Sequence, residues 1–229
     1  MLTEVDLAKS SVRTLNARLH KQTDKNRETG WRILNPGGRH NIAVGINAAL
    51  TVRIEGHTGY YCAGMNQHAT ITVHGNVGPG VAENMMSGVV HVTGNASQYA
   101  GATAHGGLLV IEGNTSSRCG ISMKGIDIVV KGSVGHLSAF MAQAGRLVIC
   151  GDAGDALGDS LYEARIYLKG KTAGLGMDCI QKPMREQHLV ELNNLLQKAG
   201  ITGMDASGFR RYGSARKLYH FDVDNVDSY

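Results

Sequence analysis

Proline and aromatic residues are scarce in this chain: 3 prolines and 5% aromatics in 229 residues, against 31 glycines. The shortage of proline argues against a disordered linker, and the excess of glycine argues against a helical protein. What fits both is a fold of many tight turns around a small-residue interior. Charge of one sign is also missing, since the net charge is only +4. The densest basic cluster is Arg210, Arg211, Arg216 and Lys217, without the strong, aromatic-laced footprint of a nucleic-acid binder. An acidic protein partner is the expected use of those arginines. The start, MLTEVDLAKSS, carries acids and lacks the apolar stretch of a signal peptide. No run approaches the length of a membrane span, so a cytoplasmic protein is expected, with neither nucleic acid nor membrane as partner.

Catalytic patterns are missing as well. Cys62, Cys119, Cys150 and Cys179 contain no CxxC pair, and no zinc or iron–sulfur spacing follows from them. His57, His74, His91 and His105 fall at different positions of a repeat described below, so they do not converge. Asp152, Asp155 and Asp159 lie within one repeat, where Asp152 and Asp155 read as two solvated acids of a turn, with Asp127 at the outward start of a strand. A glycosidase needs two carboxyls at a set separation across a cleft, which this run does not supply. The glycines Gly75, Gly78 and Gly80 lack the Lys-Ser/Thr and helix of a phosphate loop. The sequence thus offers no catalytic, cofactor-binding or metal-ligating residue.

A repeat is what the chain does have. Gly56, Gly75, Gly94, Gly113, Gly132, Gly151 and Gly170 are spaced 19 residues apart, and Gly37 extends the series one step earlier. The five residues before each read TVRIE, TITVH, VVHVT, LLVIE, DIVVK, RLVIC and RIYLK. Every second and fourth position is aliphatic, from Val52 and Ile54 to Ile166 and Leu168. Alternation of period two with one apolar face is a strand. Equivalent strands joined by such short links must coil so that each lies parallel on its predecessor, about 4.8 Å away. Cys62 and Cys119, three coils apart in one column, would then stand roughly 14 Å from each other, too far for a disulfide.

Two more columns agree. Seven residues after the turn glycine stand Ala63, Ala82, Gly101, Gly120, Ala139 and Gly158, read as a corner too close to the core for a larger side chain. Directly after it come His57, Asn76, Asn95, Asn114, Ser133 and Asp152, of which the asparagines are expected to stack as a ladder. The ends need covers. A helical stripe over Glu4 to His20 (Val5, Ala8, Val12, Leu15, Leu19, with Thr3 as N-cap) suits one end. A helix from Pro183, carrying Leu189, Leu192, Leu195, Leu196 and Ala199 and closed by Gly200, suits the other. An aromatic tail follows, with Phe209, Tyr212, Leu218, Tyr219 and Phe221. The expected fold is an all-β, single-stranded right-handed parallel β-helix of about seven coils with capping helices. Its expected divisions are 1–31 (N-terminal helix and linker), 32–182 (β-helix) and 183–229 (C-terminal helix and tail).

The coils also carry a resemblance. VDLAKSSVRTLNARL, HNIAVG and GHTGYYCAGMN resemble the family named for its GxGxG repeats, the C-terminal β-helix domain of the glutamate synthase large subunit. GVAENMMSG, QYAGAT, GGLLVIEGN, RCGISMKG, GHLSAFMAQAG and FRRYGSARKLYHF look like its free-standing version, the middle subunit of N-methylglutamate synthase (methylamine–glutamate N-methyltransferase) and related complexes. The C subunit of formylmethanofuran dehydrogenase is a more distant cousin. The resemblance implies a non-catalytic subunit spacing two partners, a class II glutamine-amidotransferase-like subunit and a glutamate-synthase-like subunit bearing FMN and an iron–sulfur cluster. A formylmethanofuran-dehydrogenase-like complex, or a stand-alone polysaccharide-active enzyme, is the alternative.

Overall fold

The computed structural model describes residues 2–22 and 30–215. They form a parallel β-solenoid. Its regular strands are β3 (Thr51–Glu55), β4 (Thr70–Val73), β5 (Val89–Val92), β6 (Leu108–Ile111), β7 (Lys124–Val130), β8 (Ala144–Ile149) and β9 (Arg165–Leu168), each pairing in parallel with the next. From β3 to β9 the register steps by the repeat: Val52 lies opposite Ile71, then Val90, Leu109, Ile128, Leu147 and Ile166. All fourteen aliphatic residues of the alternation are fully buried. They fill one continuous core, because side chains separated by two in a strand share a face.

Two strands precede these. β1 (Leu2–Asp6) pairs in parallel with β2 (Gly30–Leu34), and β2 with β3. Between β1 and β2 lies α1 (Val12–His20), capped by the Ser11 hydroxyl, which accepts from the Thr14 amide at 3.1 Å. The single helix expected over Glu4–His20 is therefore a strand followed by a shorter helix. Val5, read as part of a helical stripe, instead points into the core opposite Ile33. Pairing of β1 hydrogen-bonds the backbone edge of β2, which a covering helix would shield without pairing. The lower half of that stripe is real: Leu15 and Leu19 are buried, and Asn16 ties the helix to the first coil through Asn41 and Ala43.

The turn at Gly37 also differs from the extrapolated repeat. Leu34 pairs with Glu55, an offset of 21, whereas the Gly59 amide reaches Arg39 O, an offset of 20 that matches Gly78 onto Thr58 one coil on. Extra residues are absorbed between Leu34 and Arg39, so Gly37 sits in a widened turn rather than on the glycine column.

The C-terminal helix α2 (Glu186–Lys198) forms as expected, though it starts three residues beyond Pro183. Gly200 ends it in the left-handed region (φ 70°), with the amides of Gly200 and Ile201 returning to Gln197 O and Leu196 O, a Schellman closure. Its position is the surprise. Leu192, Leu195, Leu196 and Ala199 pack with Val110, Val129, Val148 and Tyr167, the outward-facing residues of β6–β9. The helix covers a flank of the solenoid. The end is covered by strands: β11 (Arg210–Ser214) inserts antiparallel between β9 and β10 (Cys179–Lys182). Phe209 and Tyr212 of the expected aromatic tail are buried there, while Leu218, Tyr219 and Phe221 lie outside the described residues, as do Arg216 and Lys217.

Candidate functional site

The turn glycines and the residues after them form the most regular feature on the molecule. The His57 ring accepts from the Asn76 amide through Nδ1 at 2.9 Å. Asn76 Oδ1 accepts from Asn95 N, Asn95 Oδ1 from Asn114 N and Asn114 Oδ1 from Ser133 N, each at 2.8 Å. Ser133 Oγ takes Asp152 N at 2.9 Å, and Asp152 Oδ1 takes Lys171 N at 2.7 Å. The ladder expected among the asparagines exists, but each rung joins a side chain to the next coil's backbone. Alongside it the glycine amides climb from coil to coil, Gly94 N to Gly75 O through Gly170 N to Gly151 O, at 2.9–3.1 Å. A Cβ on Gly94, Gly113, Gly132 or Gly170 would collide with the asparagine or aspartate oxygen and the glycine backbone one coil below. Glycine is required here for close stacking. The stripe is a seam that consumes its own acceptors.

The corner column has a second cause beyond its closeness to the core. Ala63, Ala82, Gly101, Gly120, Ala139 and Gly158 all have positive φ, between 55° and 69°. The residues two before and two after them, such as Tyr99 and Thr103 around Gly101, do too. Each corner thus alternates left-handed residues, a state that disfavours branched side chains.

Cys62, Cys119 and Cys179 are buried, and Cys150 is half-buried. Burial pushes the Cys62 and Cys119 thiols up to about 12, with Thr58 and Thr115 hydroxyls beside them, and lifts Cys179 to about 12 and Cys150 to about 11. A thiol that stays protonated is a poor nucleophile and a poor metal ligand. The histidines are dispersed. His91 Nε2 meets Glu112 at 2.7 Å, and Glu112 also holds Lys131. His20 bonds the Val44 carbonyl at 2.6 Å, and His40 stacks on Tyr60 at 3.8 Å. Of the two acids read as solvated, Asp152 belongs to the seam; Asp159 of the same coil accepts from the Ser160 hydroxyl and the Met177 amide. Among the described residues no three His, Cys, Asp or Glu side chains are grouped to hold a metal. No described helix is long and apolar enough to cross a membrane.

The densest charged constellation fastens α2 to the sheet. Glu191 receives Arg146 Nε at 2.9 Å, Arg165 Nη1 at 2.8 Å and the Tyr167 hydroxyl. Burial opposes its ionisation, but Tyr167 and then the guanidiniums of Arg146 and Arg165 outweigh it and hold the carboxyl below the usual range. Asp127 accepts both bonds of Arg146 Nη1, at 2.9 and 3.1 Å, yet burial wins there and raises its carboxyl. At the helix start His188, 4% exposed, accepts the Arg185 amide through Nδ1 at 3.1 Å. Burial, then Arg211 and Arg165, lower its proton affinity, in keeping with an Nδ1 that accepts a hydrogen bond. Sequence reasoning missed this lock. Its signal was present: the third strand position changes from Arg53, Thr72 and His91 to Val110, Val129, Val148 and Tyr167.

Geometry therefore defines the class: a β-solenoid whose polar groups are spent on its own coils and on a helix strapped along one flank. No known family profile matches the chain, and no solved structure does. It is 57% identical over 225 residues to Protein GlxC of Rhizobium meliloti (strain 1021), covering 98% of this chain and 99% of that one. The chain belongs to the GlxC family.

Proposed function

We propose that this chain is the non-catalytic scaffold subunit of a glutamate-synthase-like complex. In it the solenoid spaces a class II glutamine-amidotransferase-like subunit from an FMN- and iron–sulfur-bearing subunit. The reaction suggested by the GxGxG resemblance is N-methylglutamate formation from glutamate and methylamine. One observation carries the reading: a rigid rod of stacked coils has one flank sealed by α2, while the flank of β3–β5 presents Arg53, Thr72 and His91 outward. Similarity to Protein GlxC along nearly the whole of both chains supports reading the solenoid and its covering elements as one functional unit.

Purification from the native source is the test. A yellow complex with two larger partners is the expected result, and the chain alone is expected to hold neither flavin nor metal. A colourless monomer active on a polysaccharide, or stoichiometric flavin in the isolated chain, would overturn the proposal.

A further inference from the structure

At the closed end of the solenoid, β9, β11 and β10 place Tyr167 opposite Arg211 and Arg211 opposite Lys182. Residues directly opposite share a face of the sheet, so Arg211 and Lys182 stand on the same outward side as Tyr167. Ile180, two residues before Lys182, is on that side as well and is 42% exposed. Its partner across the strands is Gly213, over which the Lys182 stem lies, 3.6 Å from where a Cβ would stand. The exposed Ile180 thus borders the aliphatic stem of Lys182, which covers Gly213, in one strip. Arg165 flanks the strip from β9, and the exposed Arg185 flanks it from the start of α2.

The charges on this strip are not balanced. Glu191 is already shared by Arg146, Arg165 and Tyr167, and Asp127 is bound by Arg146. Among the described residues, Glu186 in the first turn of α2 and Asp178 just before β10 are the further acids of this corner, against Lys182, Arg185, Arg211 and the Arg165 already engaged by Glu191. Arg211 uses Nε on the Pro183 carbonyl at 3.1 Å. Burial, with the like charges of Arg165 and Arg185, lowers its proton affinity. Crowded, half-exposed guanidiniums beside an exposed aliphatic side chain suit carboxylates that bind in pairs.

We propose that this strip (Ile180, Lys182, Arg185 and Arg211) docks an acidic segment of a partner subunit, whose carboxylates meet the cations while an apolar side chain lies against Ile180 and the Lys182 stem. The proposal rests on the scaffold reading. The chain and its two partner subunits are co-expressed, and binding is measured at low and at high salt. Lys182→Glu with Arg211→Glu is expected to weaken assembly by about tenfold or more and to abolish its salt dependence. The milder Ile180→Ser, checked by melting, is expected to weaken assembly with the salt dependence kept. A carbodiimide, which joins a carboxylate to an amine, is expected to link Lys182 to an acid of a partner. Links only to Asp222, Asp224 or Asp227 of the same chain would overturn the proposal, as would unchanged, salt-insensitive assembly of both variants. If the unaltered chain assembles with neither partner, the scaffold reading itself falls; if it assembles and only the variants disagree, this inference alone falls.

Discussion

Thr72 and Val129 occupy the same place in their coils, the outward third position of a strand, yet one faces water and the other is completely buried. Inside, the two halves of the solenoid are alike, each strand giving a buried aliphatic pair at the same register. Outside they are not. Where the outward column is Arg53, Thr72 and His91 no described helix covers the flank, and where it is Val110, Val129, Val148 and Tyr167 a helix lies on it. The repeat builds the rod, and departures from the repeat decide what covers it. A strand buried on both faces reads as a near-continuous apolar run, as LLVI of β6 does.

The largest effect should come from breaking that difference directly. Val129→Asp places an unpaired carboxylate under α2, at a cost of several kcal/mol, whereas Thr72→Asp should cost a few tenths at most. Val92→Asp, inward on the bare half, should be as damaging as Val129→Asp. Thermal melting of the three separates inward, covered and bare positions. Equal melting for Val129→Asp and Thr72→Asp would mean that α2 does not stay on its flank.

The corner column sharpens the comparison at the next scale. Gly101 has φ 67°, and a Cβ there would come within 2.5 Å of Ile128 Cδ1 and 3.3 Å of Leu109 Cδ2. The clash is across the core rather than with the corners of adjacent coils. Gly101→Val adds a branched side chain in a left-handed conformation and should cost on the order of 1–3 kcal/mol or more. Damage should spread to neighbouring coils, since a solenoid is held mainly by nearest neighbours. Ala82→Gly on the other half adds backbone freedom to the unfolded chain, but φ 55° at Ala82 offsets that loss by relieving strain. It should melt close to the unaltered protein.

Much of this was legible and some was not, for physical reasons. Inward alternation is visible because every coil repeats it. The ladder was visible as a column of Asn, Ser and Asp, but its rungs run to backbone amides, which no side-chain pattern reveals. β1 was misread because Val5, Val12, Leu15 and Leu19 happen to fit a helical stripe, and only pairing with β2 distinguishes the first of them. The α2 lock needed the third column to be compared between coils. Its members Arg146, Arg165, Tyr167 and Glu191 come from three elements, so no local spacing could announce them.

Acid should separate the halves without mutation. His188 accepts the Arg185 amide only while its Nδ1 is unprotonated, and its folded-state proton affinity is depressed from the ordinary 6.5. A group protonated more readily when unfolded contributes stability that is full above 6.5 and is lost as pH falls through the folded value. The start of α2 should therefore loosen on mild acidification, and amide exchange in β6–β9 should rise before that in β3–β5. His188→Gln supplies a neutral acceptor at the same helical position, so its melting should be flatter over that window. An identical pH profile for the two proteins would show that another group sets it.

The smallest expected effect tests whether the seam is shared by both halves. Asn95 accepts from the Asn114 amide, and its own amide donates to Asn76. Asn95→Ala removes one acceptor on an exposed stripe where water can replace it, so the loss should be about 0.5–1.5 kcal/mol. Ser133 already makes the equivalent bond to Asp152 through a hydroxyl at 2.9 Å, and Asn95→Ser should recover part of the loss. The reading is local: exchange of the Asn114 amide should quicken in Asn95→Ala and slow again in Asn95→Ser. Both changes lie away from α2, so the covered and bare flanks should respond alike. A larger loss on the bare side, where no helix bridges the coils, would show that α2 carries load along the rod as well as sealing its flank.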